Sequence, residues 1–168
     1  MAKATKRVRG PLSKQPGDTH EELIADLARQ GITRAKIGGF DIDGVLRGKY
    51  VSLEKLKSAL GKGFGVCDVV YDNSKVTGWH SGYPDVHAVL DPSTLRLLPW
   101  EPGVVAMLAD FRDESGAPHP ACPRSLLKRV IARGEREGFS AKFGAEFEFY
   151  LFKETRQTLH DKGFKGLT

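Results

Sequence analysis

Apolar positions along this chain fall into short runs whose spacing changes from helical to extended and back. Thr19 and Glu22 stand in the Ser/Thr-x-x-Glu spacing that opens helices. Leu23, Ile24, Leu27 and Ala28 then share one helical face, and Gly31 is placed to stop the helix. Two β-prone runs, 33–42 and 45–51, flank Asp43-Gly44. That dipeptide predicts a hairpin with a type I′ turn, because both central positions of such a turn need positive φ. Residues 52–60 predict a second helix with Leu53, Leu56 and Leu60 on one side and Gly61 ending it. A strand is expected at 65–71, followed by a polar, Gly-rich loop over 72–84.

Short strands are predicted at 86–90 and 94–100, split by the turn Asp91-Pro92-Ser93. Residues 104–111 read as a buried strand and 112–120 as a loop. Pro123 suits the first position of a helix. Leu126, Leu127, Val130 and Ile131 form that helix's apolar stripe, and Gly138 ends it. A last segment, 139–152, has strand character in its second half. These elements predict an α+β fold with a mostly antiparallel sheet and few helices.

Composition narrows the class. With 168 residues, 40% hydrophobic and 28% charged, the chain can bury a core without staples. Its longest apolar stretch, about 104–109, falls far short of the ~20 residues that span a bilayer. Membrane, collagen-like, coiled-coil and wholly disordered classes are excluded on this reading. Two cysteines, Cys67 and Cys122, make no disulfide framework, and a cytoplasmic setting is expected. The net charge of +5 resides in a leader, residues 1–17, that holds Lys3, Lys6, Arg7, Arg9, Lys14 and no acid. Acidic and basic side chains balance over 18–168, so no nucleic-acid partner is expected of the folded part. The leader itself reads as disordered.

The segment Gly144-Ala145-Glu146-Phe147-Glu148-Phe149-Tyr150-Leu151-Phe152 carries the most chemistry. In a strand, Glu146 and Glu148 would point the same way, roughly 6.6 Å apart. Two carboxylates on one face repel each other, and a divalent cation removes that repulsion through the oxygen ligands it prefers. A solvated charged face on an edge strand is the competing reading.

This segment resembles the Gly-x-Glu-x-Glu-Phe-x-Leu-Phe motif of the glutamine synthetase family. Further matches lie upstream in the family's order. Pro123-Arg124-Ser125 resembles its Pro-Arg-Ser helix start. Asp91-Pro92-Ser93-Thr94 with Leu98-Pro99-Trp100 resembles a strand pair of its N-terminal domain. Tyr71-Asp72-Asn73-Ser74 with Gly78-Trp79 is similar to its Phe-Asp-Gly-Ser-Ser loop ending in Gly-Trp, and Asp43-Gly44 stands where its first turn would be. The resemblance covers about 20–155.

It implies a β-grasp N-terminal domain over 18–115 and, over 116–168, the first helix and strand of the catalytic domain. The implied reaction is ATP-dependent ligation of the γ-carboxylate of glutamate to ammonia or an amine through γ-glutamyl phosphate. Mg²⁺ or Mn²⁺ would be the metal, ATP the co-substrate and a homo-oligomer the full-length assembly. Carried over residue by residue, Glu146 and Glu148 would each serve a different one of two metals. Asp72 would be the aspartate that reaches a neighbouring subunit's active site and helps bind the nitrogen donor. The loop reads Asp72-Asn73-Ser74-Lys75 rather than Asp-Gly-Ser-Ser. Ligases that join glutamate to amines vary in the same place. The chain ends at Thr168, soon after the two glutamates, so an N-terminal portion that is inactive alone is expected.

Two other function classes fit parts of the chain. One is a non-catalytic β-grasp interaction module. The other is a haloacid dehalogenase-type phosphatase, because Phe40-Asp41-Ile42-Asp43-Gly44-Val45-Leu46 mimics that family's nucleophile loop, with Asp41 attacking phosphorus and Asp43 as acid/base. That loop needs a buried parallel strand before it, which Arg34, Lys36, Gly38 and Gly39 do not supply, so a hairpin turn is preferred. His80, Asp85 and His87, and separately His119 and Cys122, lack the spacing of a closed zinc site. Trp79 and Trp100 are expected as packing anchors, and Lys75 as a surface lysine.

Overall fold

A computed structural model describes residues 19–72 and 75–168. The basic leader expected at 1–17, and Asn73 and Ser74, lie outside the described residues. In chain order the elements are α1 (His20–Arg29), β1 (Arg34–Phe40), β2 (Leu46–Ser52), α2 (Leu53–Lys62), β3 (Phe64–Cys67), β4 (Asp85–Leu90), β5 (Arg96–Leu97), β6 (Val104–Arg112), α3 (Pro123–Arg136) and α4 (Arg156–Asp161). The strands form one sheet in the order β2-β1-β6-β4-β3, with β5 also paired to β6. Among the described strands only the β1–β6 pairing is parallel; the others are antiparallel. The expected mostly antiparallel α+β class is therefore what forms.

β6 is the spine of the sheet. Its first half, Val104 to Leu108, runs beside β1, and its second half, Ala109 to Arg112, pairs with β4. Such a central strand is buried on both faces, which suits its nearly unbroken apolar run. Leu23 and Leu27 of α1 and Leu56 and Ala59 of α2 share the core with Ala35, Ile37, Val105 and Met107 of the sheet. The α1 capping box is complete, with Thr19 accepting from the Glu22 amide and Glu22 accepting from the Thr19 amide. β2 lies at an edge and is almost wholly exposed, and its Arg47 and Lys49 discourage pairing with other strands.

Several expectations change. The turn between β1 and β2 is not type I′. Gly44 donates to the Asp41 carbonyl at 3.1 Å, and only Gly44 has positive φ (79°). This is a type I turn closed by a left-handed glycine, and Asp41 favours it by accepting the amides of Asp43 and Val45 through Oδ1. α2 passes through Gly61 and stops at Gly63, whose φ is 67°. The strand expected at 65–71 ends at Cys67, and Asp68–Tyr71 curl into a 3₁₀ turn. β5 keeps only two residues of the run 94–100, because Pro92–Thr94 form another 3₁₀ turn.

The largest correction concerns the C-terminal third. Residues 140–150 are in neither helix nor strand, and Glu146 and Glu148 are exposed. A strand needs a neighbour for its backbone groups, and none of the described strands pairs there. The apolar stripe of α3 (Leu126, Leu127, Val130 and Ile131) is likewise exposed. α4 was not expected; Thr155 caps it by accepting from the Thr158 amide. No described helix is long and apolar enough to cross a membrane.

Candidate functional site

Two loops at the end of the sheet come together. Ile42 donates its amide to Val70 at 3.0 Å, and the Tyr71 hydroxyl donates to the Phe40 carbonyl at 3.3 Å. The hairpin turn and the 3₁₀ turn thus line one open cleft, bounded by Asp41, Asp43, Arg47, Val69, Val70 and Asp72. Tyr71 anchors this end of the molecule. It is fully buried, packs edge-on against Phe111 and stacks on His119 at 4.8 Å.

Asp72 is half-buried at the rim of the cleft. Its Oδ1 accepts a 2.9 Å hydrogen bond from the Tyr83 hydroxyl, and its amide donates to Val69. Burial and this bond to Asp72 raise the Tyr83 phenol above its ordinary range. The loop is exposed at its tip: Trp79 is 89% exposed and meets the Tyr83 ring in a T-shaped pair. Trp100 is 73% exposed. Neither tryptophan is the packing anchor expected, because each sits on a turn outside the sheet's covered face. Lys75 is on the surface, as expected.

Asp41 is buried, but its carboxylate is spent on structure. Oδ1 accepts two turn amides and Oδ2 accepts Arg47 Nε at 2.7 Å. The Arg47 guanidinium, with the amides of Val45 and Asp43, holds the Asp41 carboxyl below its usual range against the opposing effect of burial. With both oxygens engaged by turn amides and Arg47, Asp41 serves the hairpin, and the phosphatase reading of Asp41 and Asp43 is set aside.

Glu146 and Glu148 lie in neither helix nor strand and are exposed to solvent. Their oxygens suit hard divalent ions, but no described group of three His, Cys, Asp or Glu could hold one. Asp72 and the two glutamates are not brought together in this chain. His119 is buried, with Nδ1 accepting the Ala121 amide at 3.3 Å, and Cys122 is buried at the start of α3.

Sequence reasoning missed an ion cluster that joins α3 to the sheet. Arg124 donates to Asp110 Oδ1 at 2.5 Å and to Asp91 Oδ2 at 2.7 Å. Lys128, one turn later, reaches both aspartates. The helical spacing of Arg124 and Lys128 was visible; their partners, 14 to 37 residues away, were not.

The glutamine synthetase catalytic-domain family matches residues 120–166, the segment that contains both glutamates. The chain belongs to the glutamine synthetase family. Type-1 glutamine synthetase 2 of Dictyostelium discoideum is 45% identical over 141 residues, covering 79% of this chain and 27% of that protein. The glutamate–isopropylamine ligase of a Pseudomonas species is 37% identical over 139 residues, covering 77% of this chain and 30% of that ligase. Among solved structures, the GmaS/ADP complex superposes with a TM-score of 0.58 at 32% identity, covering 68% of this chain and 26% of that one. This glutamine synthetase family chain therefore spans 27% to 30% of the length of these two curated relatives.

Proposed function

We propose that this chain is part of an ATP-dependent ligase that joins the γ-carboxylate of glutamate to ammonia or an amine through γ-glutamyl phosphate. The observation that carries this reading is the catalytic-domain match over 120–166, which contains the Gly144 to Phe152 carboxylate motif. Identity of 37% to a glutamate–isopropylamine ligase supports amines as well as ammonia on the donor side.

In this reading residues 18–115 form a β-grasp N-terminal domain and 116–168 begin the catalytic domain, in a cytoplasmic homo-oligomer. Glu146 and Glu148 would each give oxygens to a different one of two Mg²⁺ or Mn²⁺ ions. Bound there, such ions would supply positive charge against the transferring phosphoryl group. The remaining ligands and most of the ATP site come from outside the described residues. Asp72 faces the nitrogen donor of a neighbouring subunit. Its carboxylate favours a cationic amine and accepts the proton that the ammonium must lose before its nitrogen can attack. Tyr83 orients that carboxylate through Oδ1, leaving Oδ2 for the donor.

The test uses a ligase containing this sequence, supplied with ATP, Mg²⁺ and glutamate. Phosphate release should depend on ammonia or an amine. Asp72→Ala should cut turnover with the nitrogen donor far more than it changes ATP affinity. Equal losses of stability and activity would make Asp72 a turn residue and nothing more.

A further inference from the structure

Asp68 is a buried carboxylate that the proposed reaction does not use and that pairs with no cation among the described residues. It is only 3% exposed, on the 3₁₀ turn four residues before Asp72. Its Oδ2 accepts the hydroxyl of Thr77, itself 1% exposed, while its Oδ1 has no hydrogen-bond partner among the described residues. A buried carboxylate with one oxygen unpaired carries a desolvation cost that an asparagine here would largely avoid.

From Thr77 the contacts continue into the loop. The Thr77 and Ser81 hydroxyls are 3.2 Å apart, and the Ser81 hydroxyl donates to the Gly78 carbonyl at 2.9 Å, closing a turn over 78–81. The chain then passes through Gly82 (φ 72°) and Tyr83 (φ 51°), two successive left-handed residues. A non-glycine residue in that region is strained, and such strain persists only where surrounding contacts over-determine it. Here the contacts lie at both ends. Asp68 donates its amide to Pro84, the Cys67 thiol approaches the Tyr83 carbonyl at 3.6 Å, and the Tyr83 hydroxyl reaches Asp72.

We infer that Asp68 is a positioning residue: by holding Thr77 it fixes the 75–84 loop in the strained path that places the Tyr83 hydroxyl on Asp72. The consequence for catalysis rests on the proposed role of Asp72. The positioning itself does not, so it is tested on this chain without any activity assay.

Two readouts serve: hydrogen exchange of the amides of 77–82, and NMR titration of the Tyr83 ring, with Asp72→Ala as the reference for a broken Tyr83–Asp72 bond. Thr77→Val keeps the Asp68 charge and removes one hydroxyl. It should speed exchange in 77–82 by about tenfold, as for loss of one hydrogen bond to a charged group. It should also move the Tyr83 titration down to that of Asp72→Ala. Asp68→Ala should do the same. Asp68→Asn, whose amide oxygen still accepts from Thr77, should restore loop protection. Wild-type exchange and titration in Thr77→Val would overturn the inference. So would loss of protection throughout β1 and β6, which would mark a general core contact, or Asp68→Asn behaving like Asp68→Ala. None of these outcomes bears on whether the parent protein is a ligase.

Discussion

Arg124 Nη2 lies 2.7 Å from Asp91 Oδ2, tying the first turn of α3 to the turn that follows β4. With Asp110 and Lys128 the pair forms a charge-balanced cluster of two cations and two anions. The apolar stripe of α3 is exposed, so this helix is held to the sheet through charge and through buried Ser125 and Cys122 near its start. An amphipathic helix without a partner for its stripe depends unusually on such contacts.

Arg124→Met should therefore cost about 2 kcal/mol, less than breaking a fully buried pair because Lys128 remains to compensate. The pH dependence follows from Asp91. Burial pushes its carboxyl up, but Ser93, Arg124 and Lys128 together hold it well below the usual carboxylate range. Its contribution is complete above the unfolded value of about 4 and is lost as pH falls further. Urea unfolding below about pH 4 should show a shallower acid decline in Arg124→Met than in the wild type. An unchanged acid profile would mean that Arg124 does not set the Asp91 ionisation.

His119 should produce a second pH effect, nearer neutrality. Burial pushes its imidazole below the ordinary value, against the weaker pull of Asp68 and Asp113. The folded state thus resists protonation more than the unfolded state does. Stability should be full above about pH 6.5 and decline as pH falls through and below it. His119→Phe preserves an aromatic stack on Tyr71 but cannot titrate. Its unfolding midpoint should be level across this range, and a wild-type slope in that variant would assign the effect to another group.

Backbone crowding gives a stability contrast within one hairpin. Gly38 faces Gly48 across β1 and β2, and a Cβ on Gly38 would sit 2.1 Å from the Arg47 carbonyl oxygen and 2.7 Å from the Gly48 Cα. Both obstacles are main chain. Gly38→Ala should cost about 2–3 kcal/mol, at the upper end for overpacking. At Gly44 a Cβ meets nothing within 4 Å, and only its φ of 79° resists substitution. Gly44→Ala should cost about 1 kcal/mol. Thermal denaturation of the two variants checks the order, and equal losses would contradict it.

Metal affinity should report how much of the proposed metal-binding role Glu146 and Glu148 can fill in this chain. Two exposed carboxylates leave most positions of a six-coordinate ion to water. Mn²⁺ should broaden the NMR signals of 145–149 with a Kd on the order of millimolar or weaker. The double variant Glu146→Gln, Glu148→Gln should abolish the broadening. Micromolar binding that survives it would place the metal elsewhere. The same incompleteness predicts that the 168-residue chain, given ATP, Mg²⁺, glutamate and an amine, releases no phosphate above blank.

Elements governed by near neighbours were legible in the sequence. Thr19 and Glu22 cap α1 within one turn, Pro123 opens α3, and the alternating runs around Asp43-Gly44 become β1 and β2. The family, too, was legible, because its motifs are short strings of residue types in order. Tertiary structure decided what depends on distant partners. Residues 144–152 have the composition of a strand, yet they form none, since a ladder requires a second strand to accept and donate its hydrogen bonds. Asp41 could be read as a nucleophile until Arg47 and two turn amides occupied it. Asp68 looked like one more residue of a strand. Only the fold, by bringing Thr77 and Pro84 back over it, made it the buried centre of the loop that carries Tyr83 to Asp72. Pairings across sequence distance are set by the whole chain's packing, and no local pattern encodes them.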